Sequence, residues 1–339
     1  MSALKEFSVK LGSLKDSKNL DGVPVVVSKN NQLAVKVDHI SPSLREALED
    51  WDSVSPKLEQ IYKDLNSGNS PNAFKVDESL FHSPLPRSFH WVDGSAFIHH
   101  IKLVRKARNA PLPEDIYQVP LVYQGGSDTF LAPREDIPLV DEKYGLDFES
   151  EVGVITDFVP MGTKAQDVHK HIKLIVILND VSLRGLIPEE LARGFGFYQS
   201  KPSSSFAPFA LTPDELGTAW NEGRVHLPLH TEYNGKFFGK PNAKEMFFSF
   251  YQIIEHIAHT RSLGHGTIIG SGTVSNEDPT VGSSCLAEKL MIEIIESGKP
   301  STPFMKDGDT VTIHMLNENN ENLFGTIHQH VRKFNPIHK

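Results

Sequence analysis

Acidic and apolar residues alternate near the middle of this chain, and this stretch, residues 147–155, constrains the fold more than any other. Successive side chains of a β-strand point to opposite faces, so Glu149 and Glu151 are expected to share one face. A second apolar stretch, typical of a buried strand, ends at Asp180, and Arg184 follows it. The pattern therefore predicts that two carboxylates on one strand and a third at the end of another converge on one point.

Carboxylates brought so close together need a positive charge among them, because burying like charges without one costs a great deal of free energy. A group of oxygen ligands suits a hard cation such as Mg²⁺ or Ca²⁺. Taken alone, however, Glu149 and Glu151 also fit the solvated face of an edge strand. The residues themselves leave both interpretations open, a metal site and a wet strand face.

The composition narrows the class of protein. The 339 residues, of which 39% are hydrophobic and 23% charged, are typical of a globular protein. A net charge of −9 argues against nucleic acid or an anionic membrane as a partner. The single cysteine, Cys285, excludes an intrachain disulfide, and neither a signal peptide nor an apolar run of membrane-spanning length is recognisable. We therefore expect a cytoplasmic protein that has neither a nucleic-acid nor a membrane partner.

Two domains are predicted, a small one over residues 1–85 and a larger one over residues 86–339. In the first, residues 23–37 have the pattern of a β-hairpin, and residues 42–51 and 56–65 have the pattern of helices. Strand patterns dominate the second, so the fold class is α+β and rich in β-structure. No residue of the small domain resembles part of a site, and we expect it to have a structural or interface role.

Asp93 and His100 are further candidates for chemistry. Their spacing of seven residues is almost two helical turns, which would place both on one face of a helix that contains them. Asp93 could instead cap that helix, and a lone histidine on a helix is more often structural. Glu288 falls in a stretch, 285–294, that we interpret as a strand, and Lys201 lies in a loop rich in Gly, Ser and Pro.

Taken together, these pieces resemble the fumarylacetoacetate hydrolase family from Trp91 to the C-terminus. Each piece is weak by itself, but their order is specific: Asp93 with His100, Tyr123 before a Gly-rich turn, Glu149-Ser-Glu151, Asp180 with Arg184, Lys201, Thr273 in Gly-Ser-Gly-Thr-Val-Ser, and Glu288. Residues 1–85 are similar to the small N-terminal domain of the longer, hydrolase-type members. The resemblance implies a layered β-roll catalytic domain and a homodimer.

The resemblance also implies a role for each matching position. A divalent cation, Mg²⁺ or Ca²⁺ with Mn²⁺ also compatible, would be held by Asp93, Glu149, Glu151 and Asp180. A general base, the carboxylate that orients it and two cationic groups near the substrate's oxygens are implied at His100, Glu288, Arg184 and Lys201. Contacts with the substrate are implied at Ser95, Arg108, Tyr123 and Thr273.

The activity implied is hydrolysis of a carbon–carbon bond in a β-diketone acid, with fumarylacetoacetate, an intermediate of phenylalanine and tyrosine degradation, as the first candidate substrate. Two departures from the family's pattern bear on the substrate: Ser95 stands where the hydrolase has a tyrosine, and Asn109 stands where it has an arginine, with Arg105 and Arg108 nearby. The alternative is an acylpyruvate hydrolase or a 2-oxo acid hydratase or decarboxylase of the same superfamily. A binding protein without activity is a third interpretation, which turnover would exclude.

Overall fold

The computed structural model, which describes residues 7–107, 111–112 and 114–335, contains two large β-sheets, two small two-stranded sheets and seven α-helices. The helices are α1 Leu44–Glu49, α2 Trp51–Asn66, α3 Ile98–Ala107, α4 Ala165–Val168, α5 Ile187–Arg193, α6 Phe250–Ile257 and α7 Leu286–Ser297. The strands up to the middle of the chain are β1 Lys10–Leu14, β2 Val23–Val27, β3 Leu33–Lys36, β4 Phe74–Lys75, β5 Trp91–Gly94, β6 Val122–Gly125, β7 Ile137–Leu139, β8 Leu146–Asp147, β9 Ser150–Thr156 and β10 Ile172–Asn179. Those that follow are β11 Ser182–Leu183, β12 Ser205–Phe206, β13 Phe209–Leu211, β14 Trp220–Asn221, β15 Arg224–Val225, β16 Leu229–Tyr233, β17 Lys236–Gly239, β18 Ile268–Gly270, β19 Thr310–Met315 and β20 Ile327–Lys333.

The larger sheet has eleven strands in the order β4-β3-β2-β1-β13-β10-β9-β18-β5-β6, with β12 also paired to β10. The smaller sheet has five strands in the order β17-β16-β19-β20-β7, and two further pairs, β8 with β11 and β14 with β15, stand apart. Both large sheets are mostly antiparallel, but β5 runs parallel to β18 and β7 runs parallel to β20. This sheet-rich arrangement confirms the predicted α+β class.

The main core lies between the two sheets. Val152 and Ile177 point from the large sheet towards Ile313 and Val331 of the small one. The opposite face of the large sheet packs on helices α1 and α2. The continuous apolar run of β10 from Leu174 to Leu178 follows from this burial on both faces, because every residue of that run is buried.

The first 85 residues contribute four strands to the large sheet. The predicted hairpin is present as β2 and β3. Strand β1 pairs with β13, so hydrogen bonding continues from these strands into the rest of the sheet. The division at residue 85 therefore stays a prediction about folding units, while the sheet itself crosses it. No helix among the described residues is long and apolar enough to cross a membrane.

Two predicted elements differ from the structure. Asp93 lies in strand β5, not on a helix, because its segment pairs with both β18 and β6. This pairing outweighs the helical spacing of the apolar residues that follow Asp93. Glu288 lies on helix α7, not on a strand. Cys285 caps the first turn of that helix, and Gly298, with φ of +80°, ends it in the left-handed region.

Candidate active site

Three of the four predicted metal ligands converge at one end of the large sheet. Asp93 lies in β5, Glu151 in β9, and Asp180 directly after β10. All three are buried, and one oxygen from each lies within 4.8 Å of the others. The strand order explains the convergence, because only β18 separates β5 from β9, and β10 is the neighbour of β9 on the other side.

Gly270 of β18 supplies the room for this acidic cluster. A Cβ atom at Gly270 would lie 2.2 Å from Oδ1 of Asp93 and 3.1 Å from Oε2 of Glu151. Two residues later, the N–H of Gly272 donates to the same two carboxylates, at 3.2 and 3.1 Å. The glycines therefore let the backbone approach the carboxylates closely. A side chain at position 270 would prevent this approach.

The electrostatics of the acidic cluster favour a bound cation. Burial, and next the negative charge of Asp180, raise the pKa of Asp93 to about 8. Burial and the charge of Asp93 likewise raise the pKa of Glu151 far above its usual range. Oε1 of Glu151 is buried and has no hydrogen-bond partner among the described residues. An all-oxygen set with an unpaired, buried carboxylate oxygen fits a hard divalent cation.

Glu149, the fourth predicted ligand, lies outside that group of three. It immediately precedes β9, and its backbone forms an isolated antiparallel β-bridge with that of Cys285. Its Oε1 accepts from Arg184 at 2.6 Å, and its Oε2 accepts from Lys201 at 2.6 Å. Thr273 donates to Oε1 as well. Two cationic side chains therefore engage Glu149, and its role as a fourth metal ligand stays a prediction.

Lys201 is not an exposed loop lysine. Its side chain is only 8% exposed, and its Nζ donates to Glu149, to Asp180 at 2.5 Å and to Ser182 at 2.8 Å. Burial lowers the pKa of Lys201, but the charges of Asp180 and Glu149 outweigh burial and raise it above its usual value. An ammonium group that two carboxylates hold therefore stands beside the acidic cluster.

His100 and Glu288 meet although 188 positions separate them in sequence. Nδ1 of His100 lies 2.9 Å from Oε2 of Glu288, because helices α3 and α7 pack against each other. Glu288 is buried, and the His100 side chain is 13% exposed. A buried carboxylate on one ring nitrogen fixes the tautomer of an imidazole and leaves the other nitrogen for a reactant.

Asp147 is a functional candidate that we did not single out from the sequence. Its carboxylate accepts from the backbone N–H groups of Leu286 and Ala287, at 2.8 and 2.9 Å, in the first turn of α7. It also accepts from Nε of Arg184 at 2.9 Å. One buried carboxylate therefore holds both a cationic side chain of the site and the helix that carries Glu288. The signal was present, since Asp147 begins the alternating acidic stretch.

We expect Asp147→Asn to lower both stability and activity. A hydrogen bond to a charged group contributes about 1.5–3 kcal/mol, and the variant weakens several such bonds at once. The thermal midpoint should therefore fall, and kcat should fall roughly tenfold because Arg184 and helix α7 lose their common anchor. Asp157→Asn is the matched control, because Asp157 pairs with His171 and Lys173 instead of with these residues. Unchanged kcat in Asp147→Asn would exclude the positioning role.

The predicted substrate contacts differ in their surroundings. The hydroxyl of Tyr123 donates to Asp180 at 2.6 Å, and the hydroxyl of Thr273 donates to Glu149 at 2.9 Å. Ser95 is half-buried, and its backbone N–H donates to Leu121. Arg108 lies outside the described residues. Contact of these four residues with a substrate stays a prediction, as do the catalytic and metal-binding roles given above.

The chain belongs to the fumarylacetoacetate hydrolase family, as the order of its motifs predicted. A family model described as fumarylacetoacetate (FAA) hydrolase C-terminal matches residues 90–332. A second model, described as fumarylacetoacetase N-terminal domain 2, matches residues 9–87. The superfamily to which this family belongs contains hydrolases and isomerases.

Individual relatives are distant and differ in activity. The 2,4-didehydro-3-deoxy-L-rhamnonate hydrolase of Sphingomonas sp. is 24% identical over 208 residues, which are 60% of this chain and 63% of that relative. Among solved structures, the fumarylacetoacetate hydrolase of Exiguobacterium antarcticum has a TM-score of 0.65 at 16% identity, covering 96% of this chain and 100% of that one. The 2-hydroxyhepta-2,4-diene-1,7-dioate isomerase of Mycobacterium marinum has a TM-score of 0.60 at 15% identity, covering 97% and 100%. At such identities the structures establish the fold, and the substrate has to be argued from the site.

Proposed function

We propose that this protein is a metal-dependent hydrolase that cleaves a carbon–carbon bond in a β-diketone acid, with fumarylacetoacetate as the first candidate and fumarate and acetoacetate as products. The observation that carries the proposal is the contact of His100 with Glu288 beside the acidic cluster. Hydration, decarboxylation or isomerisation does not require water to attack a carbonyl carbon. A histidine held by a carboxylate therefore favours hydrolysis over those activities.

Water at neutral pH is too weak a nucleophile to attack a ketone without a base. His100 would accept the proton of the attacking water at the ring nitrogen that faces away from Glu288. Glu288 would hold the ring in one orientation and stabilise the imidazolium that forms. That proton is then available to the carbon of the leaving enolate, which needs one to become a ketone.

The acidic cluster would hold the divalent cation that members of the family typically use. Asp93, Glu151 and Asp180 offer three converging oxygens, and Glu149 is near enough to Lys201 and Arg184 to balance their charge. When bound, such a cation supplies Lewis-acid polarisation of a carbonyl oxygen. The set of hard oxygen donors supports Mg²⁺, Ca²⁺ or Mn²⁺.

Lys201 and Arg184 would stabilise the negative charge that develops during the reaction. Both side chains are mostly shielded from solvent, and carboxylates hold both in place. Charges fixed in this way do not have to reorient when a tetrahedral oxyanion or an enolate forms, which is what makes them effective. Tyr123, whose ring centroid lies 5.2 Å from Nζ of Lys201, and the side chains of Ser95 and Thr273 are proposed to orient the substrate.

The proposed function can be tested by an assay of purified protein on fumarylacetoacetate beside a series of acylpyruvates, with and without chelator. We expect turnover that chelation abolishes and that Mg²⁺, Mn²⁺ or Ca²⁺ restores. A higher kcat/KM for acylpyruvates would support the alternative substrate class. That alternative arises because Ser95 and Asn109 stand where the hydrolase has a tyrosine and an arginine. Activity that survives exhaustive chelation would overturn the metal-dependent mechanism.

Lys201→Ala should lower kcat roughly a hundredfold with a smaller change in KM, because the ammonium charge matters most when negative charge develops. Steady-state kinetics on the best substrate measures both constants. Lys173→Ala is the control, since Lys173 pairs with Asp157, outside the acidic cluster, and should keep normal kinetics. If Lys201→Ala changed KM alone, the lysine would serve only in substrate binding.

We propose also that the protein is a cytoplasmic homodimer, as implied by the family resemblance and the composition. Analytical ultracentrifugation of the purified chain at micromolar concentration measures its mass in solution. A single species with the mass of one chain would exclude the dimer.

A further inference from the structure

Two polar side chains of the large sheet point away from the acidic cluster, into the core between the two large sheets. Ser150 directly precedes Glu151, and because successive side chains of a strand alternate, it lies on the face that carries Val152 towards the small sheet. Asn179 directly precedes Asp180 and lies on the same inner face. Each of these two polar residues is therefore the chain neighbour of an acid of the cluster.

Two polar side chains of the small sheet meet them. The hydroxyls of Thr231, in β16, and Ser150 lie 2.7 Å apart. The side-chain amide of Asn179 donates to Oε1 of Gln329, in β20, at 3.0 Å. Gln329 in turn donates to the backbone carbonyl of Glu135, also at 3.0 Å. The four side chains that form these two bridges are completely buried, so the small sheet makes a polar contact with both strands that border the acidic cluster.

The bridges reach the large sheet at the last pair of a strand ladder. Asn179 and Ser150 stand opposite each other in the register of β10 and β9, at the end of that ladder. Oδ1 of Asn179 also accepts the backbone N–H of Glu149 at 3.2 Å, and the carbonyl of Glu149 accepts the N–H of Asp180 at 2.9 Å. The amide of Asn179 therefore connects Gln329 to the backbone that carries the acidic residues.

This end of the ladder has a reason to need support. The ends of paired strands open more easily than their middles, and the like charges of buried carboxylates act to separate them. A hydroxyl or amide that is pulled away from its partner in a core is left without a hydrogen bond, which costs free energy. Fully paired polar groups in a core are therefore rigid, and they restrict the position of the strand ends more than apolar contacts would.

We propose that Thr231 and Gln329 are positioning residues for the divalent cation. Through Ser150 and Asn179 they hold the carboxylates of the acidic cluster at the separation that the cation requires, although neither belongs to that cluster. The inference rests on the proposed function, because it takes the acidic cluster to be the cation site. Residues that orient metal ligands typically contribute about 10–100-fold to metal affinity. The small sheet would thus contribute to metal binding as well as to the core.

Thr231 offers a matched pair of variants. Thr231→Val keeps the shape of the side chain and removes its hydroxyl, whereas Thr231→Ser removes a methyl group and keeps the hydroxyl. Calorimetric titration of the chelator-treated full chain with Mn²⁺ measures cation affinity without any substrate. We expect about tenfold weaker binding in Thr231→Val and an affinity close to that of the wild type in Thr231→Ser.

Gln329→Met removes the amide at nearly the same side-chain length, and it should also weaken Mn²⁺ binding about tenfold. Ile327→Val is the control, because Ile327 is an apolar residue of the same strand and the same core. It should lower the thermal midpoint, since it removes a buried methyl group, and leave the Mn²⁺ affinity unchanged. The comparison separates loss of packing from loss of positioning.

The double variant Ser150→Ala with Thr231→Val separates the two effects further. It leaves neither hydroxyl of the pair buried without a partner, and loss of both partners costs less stability than loss of one. In chelator, its thermal midpoint should therefore lie above that of Thr231→Val. Its Mn²⁺ affinity should stay as low as that of Thr231→Val, because the contact between the two sheets is still missing.

Unchanged Mn²⁺ affinity in Thr231→Val or in Gln329→Met would exclude the altered residue from the positioning role. Equal losses of affinity in Thr231→Val and Thr231→Ser would overturn the role of the hydroxyl. If the wild type binds Mn²⁺ and the variants differ as expected, but no β-diketone acid is turned over, the proposed function fails and the positioning role stands. A wild type that binds no Mn²⁺ contradicts both.

Discussion

His100→Ala should lower kcat about 10²–10⁴-fold, the usual contribution of a general base, while leaving the affinity for the divalent cation nearly unchanged. The reason is that His100 contacts Glu288 and belongs to a different group of residues from Asp93, Glu151 and Asp180. Steady-state kinetics measures the loss. Calorimetric titration with Mn²⁺ on the same preparation shows that the acidic cluster is intact.

His99→Ala is the matched control for this experiment. His99 occupies the preceding position of helix α3, where its side chain points about 100° away from that of His100, and the variant should keep normal kinetics. Glu288→Gln should fall between the wild type and His100→Ala, because the imidazole remains but loses the charge that stabilises its protonated form. Full activity in both histidine variants would exclude histidine-based hydrolysis and favour a lyase mechanism.

Glu151→Gln should remove binding of the divalent cation and lower activity by roughly 10³-fold or more, since Lewis-acid polarisation is worth several kcal/mol. Glu151 is buried between Asp93 and Asp180, and its Oε1 has no hydrogen-bond partner among the described residues. Calorimetric titration with Mn²⁺ and kinetics at saturating Mg²⁺ provide the two measurements. Glu255→Gln is the control, because Glu255 pairs with Lys164 at the surface.

Glu151→Gln should stabilise the metal-free protein although it lowers activity, and this difference distinguishes loss of a ligand from misfolding. In chelator, Glu151→Gln should melt at a higher temperature than the wild type, because burial and the neighbouring carboxylates disfavour a charge at position 151. With Mg²⁺ present, the wild type should gain stability and the variant should not. A variant that melts lower under both conditions has lost packing, and its kinetics would say nothing about the metal.

The alternation around Glu151 and the apolar run before Asp180 were enough to predict a strand that carries Glu151 and a second strand that Asp180 follows. Local patterns carry this information, because alternate side chains share a face and buried strands are apolar throughout. The convergence of both strands with Asp93 depends on the strand order, in which β18 joins β5 to β9. That order is set by chain segments far apart in sequence, so no local pattern could predict it.

The errors concern segments whose structure is decided by distant partners. Residues 285–294 were interpreted as a strand, although Leu, Ala, Glu and Lys favour helices, and the cap and Asp147 confirm helix α7 in the structure. The composition of the loop around Lys201 did not by itself point to a site, and only the family resemblance placed this lysine near the substrate; in the structure Glu149 and Asp180 hold its side chain inside. For residues 285–294 the composition therefore agreed with the observed helix, whereas for Lys201 only contacts from elsewhere in the chain decide the position of the side chain.

Continuity of the large sheet across residue 85 has a consequence for association between chains. Strand β1 covers the side of β13 that faces away from β10. Without β1, that row of backbone N–H and C=O groups would be open to strands of other molecules, a common route to aggregation. The sheet instead ends in two short strands, Phe74–Lys75 with two residues and Val122–Gly125 with four. By extending the sheet, the N-terminal segment thus shields the β13 edge from intermolecular strand pairing and leaves only short edges open.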